Sequence, residues 1–165
     1  MGNTTTLMQK VGACLTKFEE WFLILGVLAM GIVMTCQVFS RAIFKHSIVW
    51  SEECVRHIFI WTIFIGMSYG IARLLHVRLE YLVDMLPLAF RKAVSIAMDA
   101  AVVILLAYLF IPSIEYAHDQ MRLLAPTMGY PMGYVMLAMP VSIILTIFRL
   151  LMDMARIAKM KEAGI

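Results

Sequence analysis

Four ionisable side chains fall within six residues: Glu52, Glu53, Arg56 and His57. Glu52 and Arg56 are four apart, as are Glu53 and His57, so on a helix each pair shares a face. An acid and a base at that spacing can hold an ion pair or pass a proton. His57 has a counterpart in His118, and two histidines on neighbouring helices can ligate a haem. Asp99 is a carboxylate inside an otherwise apolar stretch, which makes it a functional candidate by default. Against these, the chain has no hydrolase elbow, phosphate loop, His-Glu-x-x-His motif or paired catalytic carboxylate. Cys14, Cys36 and Cys54 have neither metal nor disulfide spacing and read as small buried hydrophobes. The fifteen methionines suit gap-filling between helices better than copper binding. Both histidines read as interfacial groups that meet water or a carboxylate. Asp99 reads as a structural partner for Arg73, His76 or Lys92, or as a snorkelling group at a tilted helix end, because no second acid lies near its depth to build a cation site or proton relay. The residues therefore assign no catalytic, cofactor or metal site. A membrane-anchor or cytochrome-b-like redox subunit using His57 and His118 stands as the alternative, which reduced-minus-oxidised visible spectra would distinguish.

The elements that carry these residues are membrane helices. Of the 165 residues, 62% are hydrophobic and 15% charged, against roughly 25% charged in average soluble domains. Mean hydropathy is +0.87. The net charge of +3 is small and spread over ends and loops, so there is no nucleic-acid footprint. The fold class expected is an all-α integral membrane protein, one domain over 1–165. Four transmembrane helices are predicted at about 21–43, 48–72, 90–112 and 131–151, each long enough for a core crossed by about 20 residues. Residues 58–72 are free of charge but too few to cross alone, so the second span must start among the charges at Trp50, Glu52, Glu53, Arg56 and His57. Gly66 and Gly70 form a GxxxG step where another helix can approach. Leu79, Leu82, Val83 and Leu86 recur at helical spacing, which predicts a short lateral interfacial helix over about 76–87. Arg73, His76, Arg78, Asp84, Arg91 and Lys92 would anchor it among phospholipid headgroups. Pro112 kinks or ends the third span, with an exposed helical continuation carrying Glu115, Asp119 and Arg122. Ala125 to Pro131 is turn-rich, and Pro140 should bend the fourth span.

With both termini cytoplasmic, the inner segments hold ten Lys and Arg and the outer segments four (Arg41, Lys45, Arg56 and Arg122). That bias agrees with the positive-inside rule. The Glu52–His57 cluster and the Glu115–Arg122 segment then face outward.

The order Trp50, Glu52-Glu53, Arg56, Trp61, Gly66, Arg73, His76, Asp84, Pro87 resembles the small membrane subunit of tripartite ATP-independent periplasmic (TRAP) transporters. A second block, APTMGYPMGYVMLAMPVS from Ala125 to Ser142, is similar to that family's outer loop and fourth-helix signature. The resemblance covers nearly the whole chain. Two departures are Gly133, where relatives often carry a bulky aromatic, and Ser142, where glycine is common. The resemblance implies a non-catalytic small permease subunit in the bacterial inner membrane. Its partners would be a large multi-span subunit, a periplasmic substrate-binding protein and phospholipids. Sodium and an organic acid, of the sialic acid or C4-dicarboxylate class, would bind in the large subunit, giving a sodium symport. The small subunit would brace that elevator-type partner and help dock the binding protein, with Glu115, Asp119 and Arg122 as candidate contacts. The cluster from Trp50 to His57 would form a polar node bracing the helix ends or facing a partner.

Overall fold

The computed structural model describes residues 2–45, 48–83 and 88–159. Side chains at 2–11, 72–83, 88–93, 95, 153 and 155–159 lie outside the description. The described chain is helical: α1 (Gly2–Phe44), α2 (Val49–Val83), α3 (Leu88–Gln120), α4 (Gly133–Met136) and α5 (Ala138–Lys159). Among the described residues the only β-structure is an isolated bridge between Leu124 and Pro131. Four segments are long and apolar enough to cross a membrane: Gly12–Phe44, Val49–Ile71, Ile96–Gln120 and Gly133–Met152. The four predicted spans are all present.

The helix boundaries follow local chemistry. α1 contains no proline and carries nineteen uncharged residues from Trp21 to Phe39. It stops where Lys45 takes a left-handed φ of 51°, the conformation that commonly closes a helix. α2 opens with Ser51, whose Oγ and backbone N–H both donate to the Ile48 carbonyl, at 2.7 and 3.1 Å. α3 passes through Pro112 and continues to Gln120, as the expected continuation required. Pro140 falls in the first turn of α5, where a backbone N–H would have no intrahelical partner anyway. The interruption in the fourth span comes at Leu137, between α4 and α5, within the turn before Pro140. α2 runs to Val83, beyond the expected end near Ala72. The lateral segment expected at 76–87 falls on side chains outside the description and on residues 84–87, likewise outside it.

The helices do not form a square bundle. α2 packs against α1 on one side and α5 on the other, and α3 packs against α5 and α4. The apolar core lies between α3 and α5. Leu106, Ile143 and Leu150 are buried there, flanked by Val102, Leu109, Phe110, Met139 and Ile147. α1 sits at the edge and exposes Phe18, Trp21, Leu25, Leu28, Ile32 and Val38. Cys14 and Cys36 are exposed on α1 and Cys54 is half-buried, so the expected burial of the cysteines does not hold. α1 ends where α2 begins, so the two run antiparallel. α2 and α5 both start at the end of the molecule that carries the loop 121–132.

Two glycines permit the closest approaches. A Cβ at Gly26 would meet Thr62 Oγ1 at 2.6 Å, and one at Gly133 would meet the Ala117 carbonyl oxygen at 2.6 Å. Of the GxxxG pair, Gly66 faces Leu23 Cδ2 at 3.3 Å, while Gly70 faces open space. The tight contact between α1 and α2 is thus centred on Gly26 and Thr62.

Candidate functional site

The most organised polar structure lies at the loop end. Between α3 and α4 the chain folds back on itself. Ala125 N–H donates to the Tyr130 carbonyl at 2.8 Å, Gly129 N–H to the Ala125 carbonyl at 2.9 Å, and Met132 N–H to the Leu123 carbonyl at 2.8 Å. The reversal needs Gly129 at φ 73°, a conformation glycine adopts without steric penalty. Ala125 is buried beneath it.

α2 grips this loop from below. Glu53 Oε2 accepts from the backbone N–H of Thr127 at 2.8 Å and of Met128 at 3.0 Å. One turn later, His57 Nδ1 is hydrogen-bonded to the Tyr130 hydroxyl, with the rings edge-to-face at 5.4 Å. Glu53 and His57 are both buried, at 6% exposure, and Tyr130 is half-buried. The i, i+4 spacing thus aims an acid and an imidazole at the same loop, three residues apart in its sequence. Charge-assisted bonds from backbone N–H groups to a carboxylate are among the stronger protein hydrogen bonds. Burial pushes the Tyr130 phenol above its ordinary value, and the negative potential of Glu53 and then Cys54 adds to the rise. The hydroxyl therefore stays protonated and able to hold His57 throughout the neutral range. The loop's upper surface presents Leu123, Leu124 and Met128 to the outside, and Glu115, Asp119 and Arg122 are exposed beside it on the end of α3 and the turn that follows.

The rest of the Trp50–His57 cluster divides. Glu52 Oε1 accepts from Gln37 Nε2 on α1 at 3.0 Å, while Arg56 and Trp50 are exposed. Glu52 and Arg56 therefore lie on the outer side of α2, with Glu52 tied to α1. His57 is turned to Tyr130 and His118 is exposed on α3, so the two histidines serve different surroundings. Among the described residues no group of three or more His, Cys, Asp or Glu has the arrangement to hold a metal ion. Asp99 is buried at 1% exposure and engaged. The side chains of Arg73, His76, Arg78, Asp84, Arg91 and Lys92 lie outside the described residues.

A second polar cluster was not expected from sequence. Glu19 on α1 is 1% exposed and forms an ion pair with Arg149 Nη2 on α5 at 2.5 Å. Ser68 on α2 donates to the other carboxylate oxygen at 3.3 Å. Arg149 was counted as an inner surface charge and proves to be 7% exposed, because Glu19 compensates it. The available signal was one acid at the start of span one and one base at the end of span four. Ser142, the departure from glycine, donates from α5 to the Phe64 carbonyl on α2 at 2.5 Å. Gly133, the departure from an aromatic, lets the start of α4 lie against the backbone of α3.

Residues 30–160 match the family described as tripartite ATP-independent periplasmic transporters, DctQ component. The chain belongs to this family. It is 30% identical over 147 residues to the isethionate TRAP transporter permease protein DctMQ of Oleidesulfovibrio alaskensis, covering 84% of this chain and 23% of that one. It is 25% identical over 143 residues to the ectoine TRAP transporter small permease protein TeaB of Halomonas elongata, covering 85% and 74%. It is 23% identical over 146 residues to the sialic acid TRAP transporter small permease protein SiaQ of Vibrio cholerae, covering 88% and 84%. The chain thus spans about a quarter of the length of DctMQ and most of the length of TeaB and SiaQ. As a DctQ component with four candidate spans, it is a multi-pass membrane protein of the TRAP small permease kind.

Proposed function

We propose that this chain works as the non-catalytic small permease of a sodium-driven TRAP symporter in the bacterial inner membrane. Its partner is a large multi-span permease that carries the solute and sodium sites. The match to DctMQ supports this pairing, because the region shared with this chain takes up 23% of that longer permease protein. Both termini lie in the cytoplasm, which puts the gripped loop in the periplasm, in line with the bias of Lys and Arg. The connection after α2, with Arg73, His76, Arg78, Asp84, Arg91 and Lys92, lies at the inner headgroups.

The observation that carries this reading is the loop held by Glu53 and His57. Its backbone donors are satisfied from below, so its upper face is preorganised, and a preorganised surface loses less entropy on docking. Leu124 and Met128 are exposed on the loop, and Glu115, Asp119 and Arg122 are exposed on the end of α3 and the turn that follows, a mixture of apolar and charged surface that suits a soluble binding protein. Relatives are named for isethionate, ectoine, sialic acid and C4-dicarboxylate. We place this chain with the organic acids, of the sialic acid or C4-dicarboxylate class, with selection made in the large permease. The test is reconstitution. A tagged chain should co-purify with a large permease. Uptake into proteoliposomes should then require both chains, the binding protein and an inward sodium gradient. Undiminished uptake by the large permease alone would refute the brace-and-dock role.

A further inference from the structure

We propose that Glu19, Ser68 and Arg149 form a latch that fixes the edge helix α1 to α5 and makes the four spans one rigid body. α1 packs chiefly on α2 and turns most of its length outward. Glu19 and Gln37 are its buried polar residues, and Glu19 is the deeper, at 1% exposure about 10 Å along α1 from Gly12. It reaches past α2 to the Arg149 guanidinium, 130 residues away in sequence, and takes the Ser68 hydroxyl on the way. Three spans thereby meet at one carboxylate. A Cβ at Gly12 would lie 3.5 Å from Met152 Cε, so α1 and α5 also touch a short distance below.

The latch lies far from the loop clip. Glu53 and Ser68 are fifteen residues apart on α2, about 22 Å along its axis. One carboxylate therefore ties the structure near each end of the apolar span Val49–Ile71 of α2. Without the lower tie, α1 meets α5 only through the apolar Gly12–Met152 contact and can swing about the Gly26–Thr62 contact. With it, α1 moves with α5. Removing one member of a buried ion pair leaves the other charge uncompensated, which destabilises far more than removing both. That asymmetry makes the proposal testable.

The experiment uses the full chain in native membranes, with Cys14, Cys36 and Cys54 changed to serine and with Gly12→Cys and Met152→Cys added. A short bis-methanethiosulfonate reagent bridges α1 to α5, and the yield of internally bridged chain is read with the amount of chain in the membrane. The parent should bridge efficiently. Glu19→Gln should lower the yield at least about threefold, or lower the accumulation of the chain by a similar factor. The exchanged pair Glu19→Arg with Arg149→Glu, or the doubly neutral pair Glu19→Gln with Arg149→Gln, should recover most of the loss. Parental yield and accumulation in Glu19→Gln would overturn the latch. So would a loss that neither paired variant relieves, because the cost would then not lie in the unpaired charge.

Discussion

Glu53 and His57 are the residues through which α2 controls the loop. Glu53 satisfies two adjacent backbone donors, and a donor left without its partner in a buried site loses the full benefit of the bond. Glu53→Ala should therefore speed hydrogen exchange at the Thr127 and Met128 amides by roughly tenfold or more. Glu53→Gln, which keeps a carbonyl oxygen in place, should have a smaller effect. Equal exchange in the wild type and Glu53→Ala would mean the loop holds itself. Tyr130→Phe removes the bond to His57 and should lower stability by about 1 kcal/mol, read from denaturation in detergent. The pH dependence has a definite sign. The Tyr130 pKa is raised above its ordinary value of 10.0, so folding favours the protonated phenol. The stability this contributes is complete below pH 10 and is lost as pH rises through the higher folded value. Ultraviolet titration should show a late tyrosine phase that disappears in Tyr130→Phe. The i, i+4 spacing made the shared face of Glu53 and His57 legible in sequence. What they grip was not, because their partners are two backbone N–H groups and a tyrosine hydroxyl more than seventy positions away.

At the scale of helices, the contact between α1 and α2 rests on the missing side chain at Gly26. Gly26→Ala would put its Cβ 2.6 Å from Thr62 Oγ1, and overpacking of this kind costs about 1–3 kcal/mol. Thr62→Ala should relieve it, since the next nearest atoms of that side chain lie at 3.7 Å. The single variant should melt lower than the double. Gly70→Ala should be neutral, as nothing lies within 4 Å. Gly133→Ala has no such relief, because it meets the Ala117 backbone oxygen. The four spans were readable because hydrophobic length alone demands them. Of the GxxxG pair, Gly66 lies against Leu23 and Gly70 faces open space, because spacing within one helix does not say which face its neighbour takes. Pro140 was a fair warning of irregularity: the break falls at Leu137, within the turn before it, where a proline interrupts a continuing helix. Glu19 escaped notice because a charge beside Trp21 reads as a membrane-surface residue. Only the arrangement of α1, α2 and α5 shows that Arg149 reaches it.

Across the whole molecule, the two carboxylate ties separate what is fixed from what is offered. Both ties face inward, so the exposed charges beside the loop remain available: Glu115 and Asp119 late in α3, and Arg122 just after it. If the loop end meets a soluble partner in the periplasm, these charges steer encounter while the apolar loop face supplies contact. Charges at an interface rim act mostly on the rate of association and its salt dependence. The double variant Glu115→Lys with Asp119→Lys should therefore raise the concentration of binding protein needed for half-maximal uptake by roughly tenfold at low salt. The shift should shrink as ionic strength rises. Maximal uptake and recovery of the complex with the large permease should stay at wild-type levels, because neither residue is buried or bonded to another span. Arg56→Glu should behave differently. Arg56 lies on the exposed side of α2, next to the Glu52–Gln37 link between α1 and α2. Reversing it places a third acid beside Glu52 and Glu53, and should reduce recovery of the assembled complex at every binding-protein concentration. Titrating the binding protein against both variants separates the two surfaces. A lower plateau in the Glu115/Asp119 variant, or a shifted midpoint with a full plateau in Arg56→Glu, would exchange their assignments.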